Sequence, residues 1–205
     1  LGAEANDEMM EISQRVSPKL SQTSNNIFLN EKLLARVKSI YDKKEQLNLS
    51  TEDAKLLEDL YESFKANGAT LNKDDKEKYR KLSMDLSMLT LQFDQNALKD
   101  KNRFELLITD ENELSGLPES ARDAAAMLAK SKDKNGWLFN LSAPSYIPFM
   151  RYSDKRDLRE KMYREYMSVG NKGDEFDNKD IIKKIVNIRL ESAQLMGFKN
   201  YAEYA

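Results

Sequence analysis

Residues 72–101 read NKDDKEKYRKLSMDLSMLTLQFDQNALKDK, and this stretch decides the fold class. Tyr79, Leu82, Leu86, Leu89 and Phe93 recur at steps of three and four, the repeat of a single helical face. Met84, Met88 and Leu91 supply a second apolar side, so this longest helix is expected to pack against neighbours on both. Asn72 stands at the N-cap, where a side-chain oxygen satisfies an orphan backbone donor.

Upstream the same reading repeats. Ser50 and Asp53 open a helix that runs to Asn67 and stops at Gly68, with Asp taking the place of the usual Glu of a capping box. Asn30 caps a helix to about Leu47, carrying Leu33, Leu34, Val37, Ile40 and Tyr41. Residues 3–22 predict a first helix with Met9, Ile12, Val16 and Leu20 as its apolar stripe and a kink or break at Pro18.

Downstream the helical repeat lapses. Residues 103–109 and 137–141 read as short strands of a small sheet, connected by an Ala-rich helix from Pro118 to about Lys130 and by the turn Asn135-Gly136. Pro144 and Pro148 bracket what reads as an irregular aromatic segment. Ser153 is expected to cap a helix with Leu158, Met162, Tyr163 and Tyr166. A last long helix follows over about 178–196, with Ile181, Ile185, Ile188 and Leu195 inward and Gly197 as its stop. Asn200 then caps a new start at Tyr201, too short to stand alone, so the polypeptide is expected to continue past Ala205. The expected fold is therefore mainly α with a minor two-stranded β element. Helical hairpins and the long helix occupy 1–102, and the β element plus helices occupy 103–205, the two continuous as one domain.

Composition narrows the chemistry. The 205 residues include no His and no Cys. That removes the usual zinc ligands, the His base of Ser or Cys hydrolases, thiolate nucleophiles and disulfides. The 33 basic and 35 acidic residues leave a net charge of -2, without the field that draws a protein to nucleic acid or an anionic membrane. No apolar run approaches the roughly 20 residues of a membrane span. The expected compartment is the cytoplasm, with a periplasm left open. Residues 133–136, Asp-Lys-Asn-Gly, look like the middle of a calcium loop, but Ser142 falls where that loop needs a bidentate Glu. The acids Asp110, Glu111 and Glu113 fit a helix N-terminus better than a cation site. The interleaved charges of 73–81 and 155–164 read as solvated helix faces. The segment 145–152, Ser-Tyr-Ile-Pro-Phe-Met-Arg-Tyr, admits two readings: the lining of a binding cleft, or a buried connector between strand and helix.

Several stretches together resemble the thimet oligopeptidase family of zinc metallopeptidases, which includes the oligopeptidase A and bacterial dipeptidyl carboxypeptidase types. They are 11–20 (Glu-Ile-Ser-Gln-Arg-Val-Ser-Pro-Lys-Leu), 27–37, 89–96 (Leu-Thr-Leu-Gln-Phe-Asp-Gln-Asn), Gly116-Leu117-Pro118, 146–153 running into 156–159, 185–190 and 195–202. The resemblance implies a parent that hydrolyses short peptides and releases C-terminal dipeptides. In that family zinc is held by an H-E-x-x-H motif and a downstream Glu. None of that motif is present here, so no catalytic or metal residue carries over. The implied role of this chain is the helical N-terminal part, one wall of a deep substrate channel, inactive alone and partnered by the catalytic domain. Tyr146, Phe149, Arg151 and Tyr152 are its candidate channel residues. The competing expectation is a stand-alone helical module that binds a peptide or partner protein without catalysis.

Overall fold

A computed structural model describes residues 6–205. Residues 3–5, where the first helix was expected to begin, lie outside the described residues. The described chain holds nine α-helices and one antiparallel pair of strands, and it divides into two compact units. One comprises residues 6–92 together with residues 181–205; the other is Phe93–Asp180.

In the first unit, α1 (Asp7–Phe28) starts at Asn6, whose side chain accepts the Met9 N–H at 2.9 Å. It runs unbroken past Pro18, so of the expected kink or break the break does not occur. Its apolar stripe is turned to water. Met10 and Asn25 are buried, while Met9, Ile12, Val16 and Leu20 are each more than 40 % exposed. The helix meets the long helix α4 (Lys73–Arg103) through hydroxyls and amides: Ser17 and Ser87 lie 2.8 Å apart, and the Asn25 amide donates to the Ser83 hydroxyl at 2.7 Å. Helix α2 (Glu31–Tyr41) begins at Asn30 as expected but ends six residues before Leu47, in a 3-10 turn, Lys44–Gln46. Helix α3 (Thr51–Ala66) is capped by Ser50, which accepts the Asp53 N–H and donates its hydroxyl to the Asp53 carboxylate. The shorter Asp thus reaches the hydroxyl of the cap where a Glu would reach its backbone. Tyr41 on α2 and Tyr61 on α3 stack at 4.1 Å, and Phe28 meets Phe64 edge-on at 5.3 Å. Helices α8 (Lys179–Leu195) and α9 (Tyr201–Tyr204) end this unit. The Tyr204 hydroxyl donates to the Ala66 carbonyl at 2.6 Å and also meets the buried Tyr79 hydroxyl.

The second unit is built around strands β1 (Leu106–Ile108) and β2 (Trp137–Phe139), paired Leu106 to Phe139 and Ile108 to Trp137. Between them runs α5 (Glu119–Ser131), the expected connection. Its fully or nearly buried Ala129 and Ala125 let the helix approach the strand closely. Gly136 turns into β2 with φ +112°, and a Cβ there would stand 2.3 Å from the Ile108 carbonyl oxygen. Beneath the sheet, Phe104, Leu106, Ile108, Leu114, Leu117, Phe139, Leu141, Phe149 and Met162 form one continuous core.

Two expectations fail in this unit. The segment around Pro144 and Pro148 is no irregular connector but helix α6 (Ala143–Tyr152). Pro144 sits in the first turn, where its missing N–H costs nothing. Pro148 gives up one helical bond, and the full burial of Phe149 one residue later offsets part of that loss. The second concerns α7 (Arg156–Met167), whose N-cap is Lys155 rather than Ser153. Ser153 still contributes, accepting the Lys155 N–H at 3.2 Å.

Candidate functional site

Helix α6 presents different chemistry on different sides. Phe149 faces the core, fully enclosed, with its ring edge-on to Phe139 at 4.7 Å. One turn earlier Tyr146 lies over Tyr166 of α7, rings nearly parallel at 4.2 Å. Burial holds the Tyr146 hydroxyl above its ordinary pKa, and the neighbouring hydroxyls of Tyr166 and then Tyr163 push it further the same way. Three tyrosines from two helices therefore gather at one place, with Tyr163 and Tyr166 about half exposed. At the end of α6 the Arg151 guanidinium stands 5.3 Å from the ring centre of Tyr152.

The α6–α7 junction is fixed from below. The turn through Ser115 and Gly116 closes on it: Asp154 donates its N–H to the Ser115 carbonyl at 2.9 Å, and its carboxylate accepts the Ser115 hydroxyl at 2.7 Å. Gly116 has φ +85°, and a Cβ on it would lie 2.1 Å from the Tyr152 carbonyl oxygen. Only glycine fits so close an approach. Arg159 donates to the Ser153 carbonyl across the same corner. At the other end of α6, a cleft of about 210 Å³ lies against α5 and β2, with Ala121, Leu128, Asn140, Ser142 and Ser145 among its walls. The Asn140 side chain accepts from the Ser142 N–H at 3.0 Å and hydroxyl at 2.6 Å, while Ser145 accepts the Asn140 N–H at 3.0 Å.

The loop that follows α7 is tied to α4 by charge. Asp100, with no exposed side-chain surface, accepts the Gly170 N–H at 2.7 Å and faces the Lys172 ammonium at 3.1 Å and the Arg103 guanidinium at 2.7 Å. Arg103 also pairs with Asp174, whose carboxyl it holds below the ordinary range. Asn178, 2 % exposed, donates to the Phe93 carbonyl and accepts from the Asn96 amide, each at 3.0 Å. These contacts anchor the loop, and every charge in them is matched.

The four candidate residues therefore divide. Tyr146 joins an aromatic patch, Arg151 and Tyr152 pair with one another at the helix end, and Phe149 supports the helix from the core. Tyr163 and Tyr166 belong with Tyr146, and a reading by local pattern misses them. Their spacing with Met167 (i, i+3, i+4) marks one face of α7, but nothing local ties that face to a residue about 20 positions earlier. This arrangement can bind and orient an extended ligand by aromatic faces. Its donor set does not suit zinc: the sequence has neither His nor Cys, and among the described residues no group of three or more acids is placed to hold a metal. Among the described residues no helix is long and apolar enough to cross a membrane.

Comparison with known proteins gives consistent matches. Residues 149–205 match Peptidase family M3; that stretch begins inside α6 and includes Arg151, Tyr152, Tyr163 and Tyr166. Oligopeptidase A of Escherichia coli (strain K12) is 35 % identical over 199 residues, covering 95 % of this chain and 29 % of that protein. The probable cytosolic oligopeptidase A of Arabidopsis thaliana is 39 % identical over 173 residues, 81 % of this chain and 24 % of its own length. Dipeptidyl carboxypeptidase of Escherichia coli (strain K12) is 32 % identical over 203 residues, 98 % of this chain and 30 % of that protein. The chain thus spans less than a third of the length of these curated relatives.

Proposed function

The chain belongs with peptidase family M3, and from that premise we propose that it is the helical part of a zinc metallopeptidase that hydrolyses short peptides and releases C-terminal dipeptides. The observation that carries this reading is the match to oligopeptidase A along 95 % of the chain at 35 % identity. The reacting groups lie in polypeptide outside these 205 residues, because a sequence without His cannot contribute an H-E-x-x-H motif. Zinc held there supplies an activated water when bound. Residues 1–205 form one wall of the substrate passage and carry no catalysis alone.

Within that wall the α6–α7 surface meets the peptide. Tyr146, Tyr163 and Tyr166 offer ring faces to its side chains, and Arg151 with Tyr152 offers a cation and a ring at the helix end. Phe149 acts from the core, fixing the position of α6. The proposed working compartment is the cytoplasm.

The test uses the 205-residue chain and the longer polypeptide from the same gene, assayed on N-blocked short peptides for dipeptide release. The longer protein should be active and should lose activity to a chelator. The 205-residue chain should be inactive with added zinc. In the longer protein, Tyr166→Ala should raise KM about tenfold, the equivalent of ~1.4 kcal/mol, with kcat little changed. Hydrolysis by the 205-residue chain would overturn the assignment of chemistry. A longer protein that binds peptides without cleaving them would leave a binding module.

A further inference from the structure

Helix α1 turns one side to the protein and a separate apolar stripe to water. Residues 10, 17, 21, 25 and 28 form the side turned to the protein, where Met10 and Asn25 are buried and Ser17 and Asn25 bond to α4. About 120° around the helix from them, Met9, Ile12, Val16, Leu20 and Ile27 are 43, 43, 42, 65 and 47 % exposed. At 100° per residue these five fall within an arc of about 80°, which is one continuous stripe rather than scattered apolar residues. Such a stripe in water is a docking surface awaiting its partner.

We propose that this stripe is the seat of polypeptide from the same protein lying outside residues 1–205, an element presenting an apolar face of its own. The argument for that occupant is length. The chain covers 95 % of itself but only 29 % of oligopeptidase A, so a protein of that kind carries more than twice as much polypeptide again. A lipid surface fits less well. Interfacial helices carry a basic polar face, whereas α1 has three acids (Asp7, Glu8, Glu11) against two bases (Arg15, Lys19). The inference rests on the reading of the chain as part of a longer peptidase.

Because residues 1–205 contain no cysteine, Val16→Cys and Leu20→Cys each place a single reporter in this part of the protein. Maleimide labelling of that thiol is followed by peptide mass spectrometry, in the 205-residue chain and in the longer protein. The rate is referred to the same protein in urea. Labelling should be fast in the short chain and at least about tenfold slower in the longer one. As a second measure, Leu20→Glu should lower the Tm of the longer protein and leave that of the short chain unchanged. Equal labelling in both overturns the inference, even if the longer protein is an active peptidase. Protection in the short chain that grows with its concentration overturns it in favour of a second copy. Protection that appears only with added vesicles overturns it in favour of lipid. Protection in a longer protein without peptidase activity upholds the docking surface and sinks the functional reading instead.

Discussion

In the unit Phe93–Asp180, Leu141, Phe149 and Met162 are sealed from water beneath a two-stranded sheet. In the helical unit Val16, Leu20, Leu56 and Val186 stand on regular helices and face it. The first has short strands, a glycine turn with no room for a Cβ and a helix containing two prolines. The second has long helices with good caps. Regular local structure and a closed core are therefore separate achievements. A helix forms wherever propensity and caps allow it, but its apolar face is buried only if some other element covers it. The unit whose sequence is easier to read is the one that leaves more apolar surface uncovered.

Four substitutions break or sharpen that contrast, the largest first beside its surface control and the other two in falling order. Phe149→Ala should destabilise the second unit by about 3–5 kcal/mol in urea unfolding, since it empties the centre of the core. Leu56→Ala, 65 % exposed, should change stability by less than about 0.5 kcal/mol. Similar losses at the two positions would erase the distinction. Asp100→Asn should cost about 3 kcal/mol by the same method, because Lys172 and Arg103 lose a buried counter-charge. Gly116→Ala should cost about 2 kcal/mol, forcing a Cβ into the Tyr152 carbonyl at a positive φ. It should also displace the α6–α7 corner, seen as altered tyrosine fluorescence.

The smallest effects are in pH dependence, with carboxylates setting the acid limb and a buried tyrosine the alkaline one. In the second unit, Lys132 and Lys134 lower the Glu105 carboxyl, and Arg103 lowers that of Asp174. A lowered folded pKa stabilises above the unfolded value and is lost as pH falls through the folded one. Stability from these pairs should therefore fall below pH 4.5 for Glu105 and below 3.8 for Asp174. The pairs are partly exposed, so the loss should be small and reduced by salt. In the helical unit, burial and then the Tyr204 hydroxyl hold the Tyr79 hydroxyl above its ordinary value of 10.0. A raised folded pKa stabilises fully below the unfolded value and is lost as pH rises beyond it. Alkaline titration above pH 10.0 should weaken this unit, and Tyr79→Phe should flatten that limb. Far-UV circular dichroism against pH checks both ends.

The sequence made much of this legible. Asn30, Ser50 and Asn72 cap the helices they were expected to cap, because a cap acts within three residues of itself. The strands 106–108 and 137–139 and their connecting helix were readable from alternation and turn residues. Helix α6 was not, because two prolines in five residues outweigh helix in any local reading. Only the pocket for Phe149 beside Phe139 reverses that. The candidate site was half legible: Tyr146, Arg151 and Tyr152 were within reach of local reading, whereas Tyr163 and Tyr166 join Tyr146 by long-range packing.

What the sequence by itself determined is where helices α2, α3 and α4 begin, that no His or Cys chemistry resides in these 205 residues, and the likeness to a peptidase family. What only the tertiary structure decided is which face of each helix meets the protein. Periodicity reports that Met9, Ile12, Val16 and Leu20 share a side of α1, but it is silent about what lies across from them. The inner side went instead to Ser17 and Asn25, because their hydrogen bonds are made with Ser87 and Ser83 of α4. Those partners are 70 and 58 residues away, and a repeat of 3.6 residues carries no information at that distance.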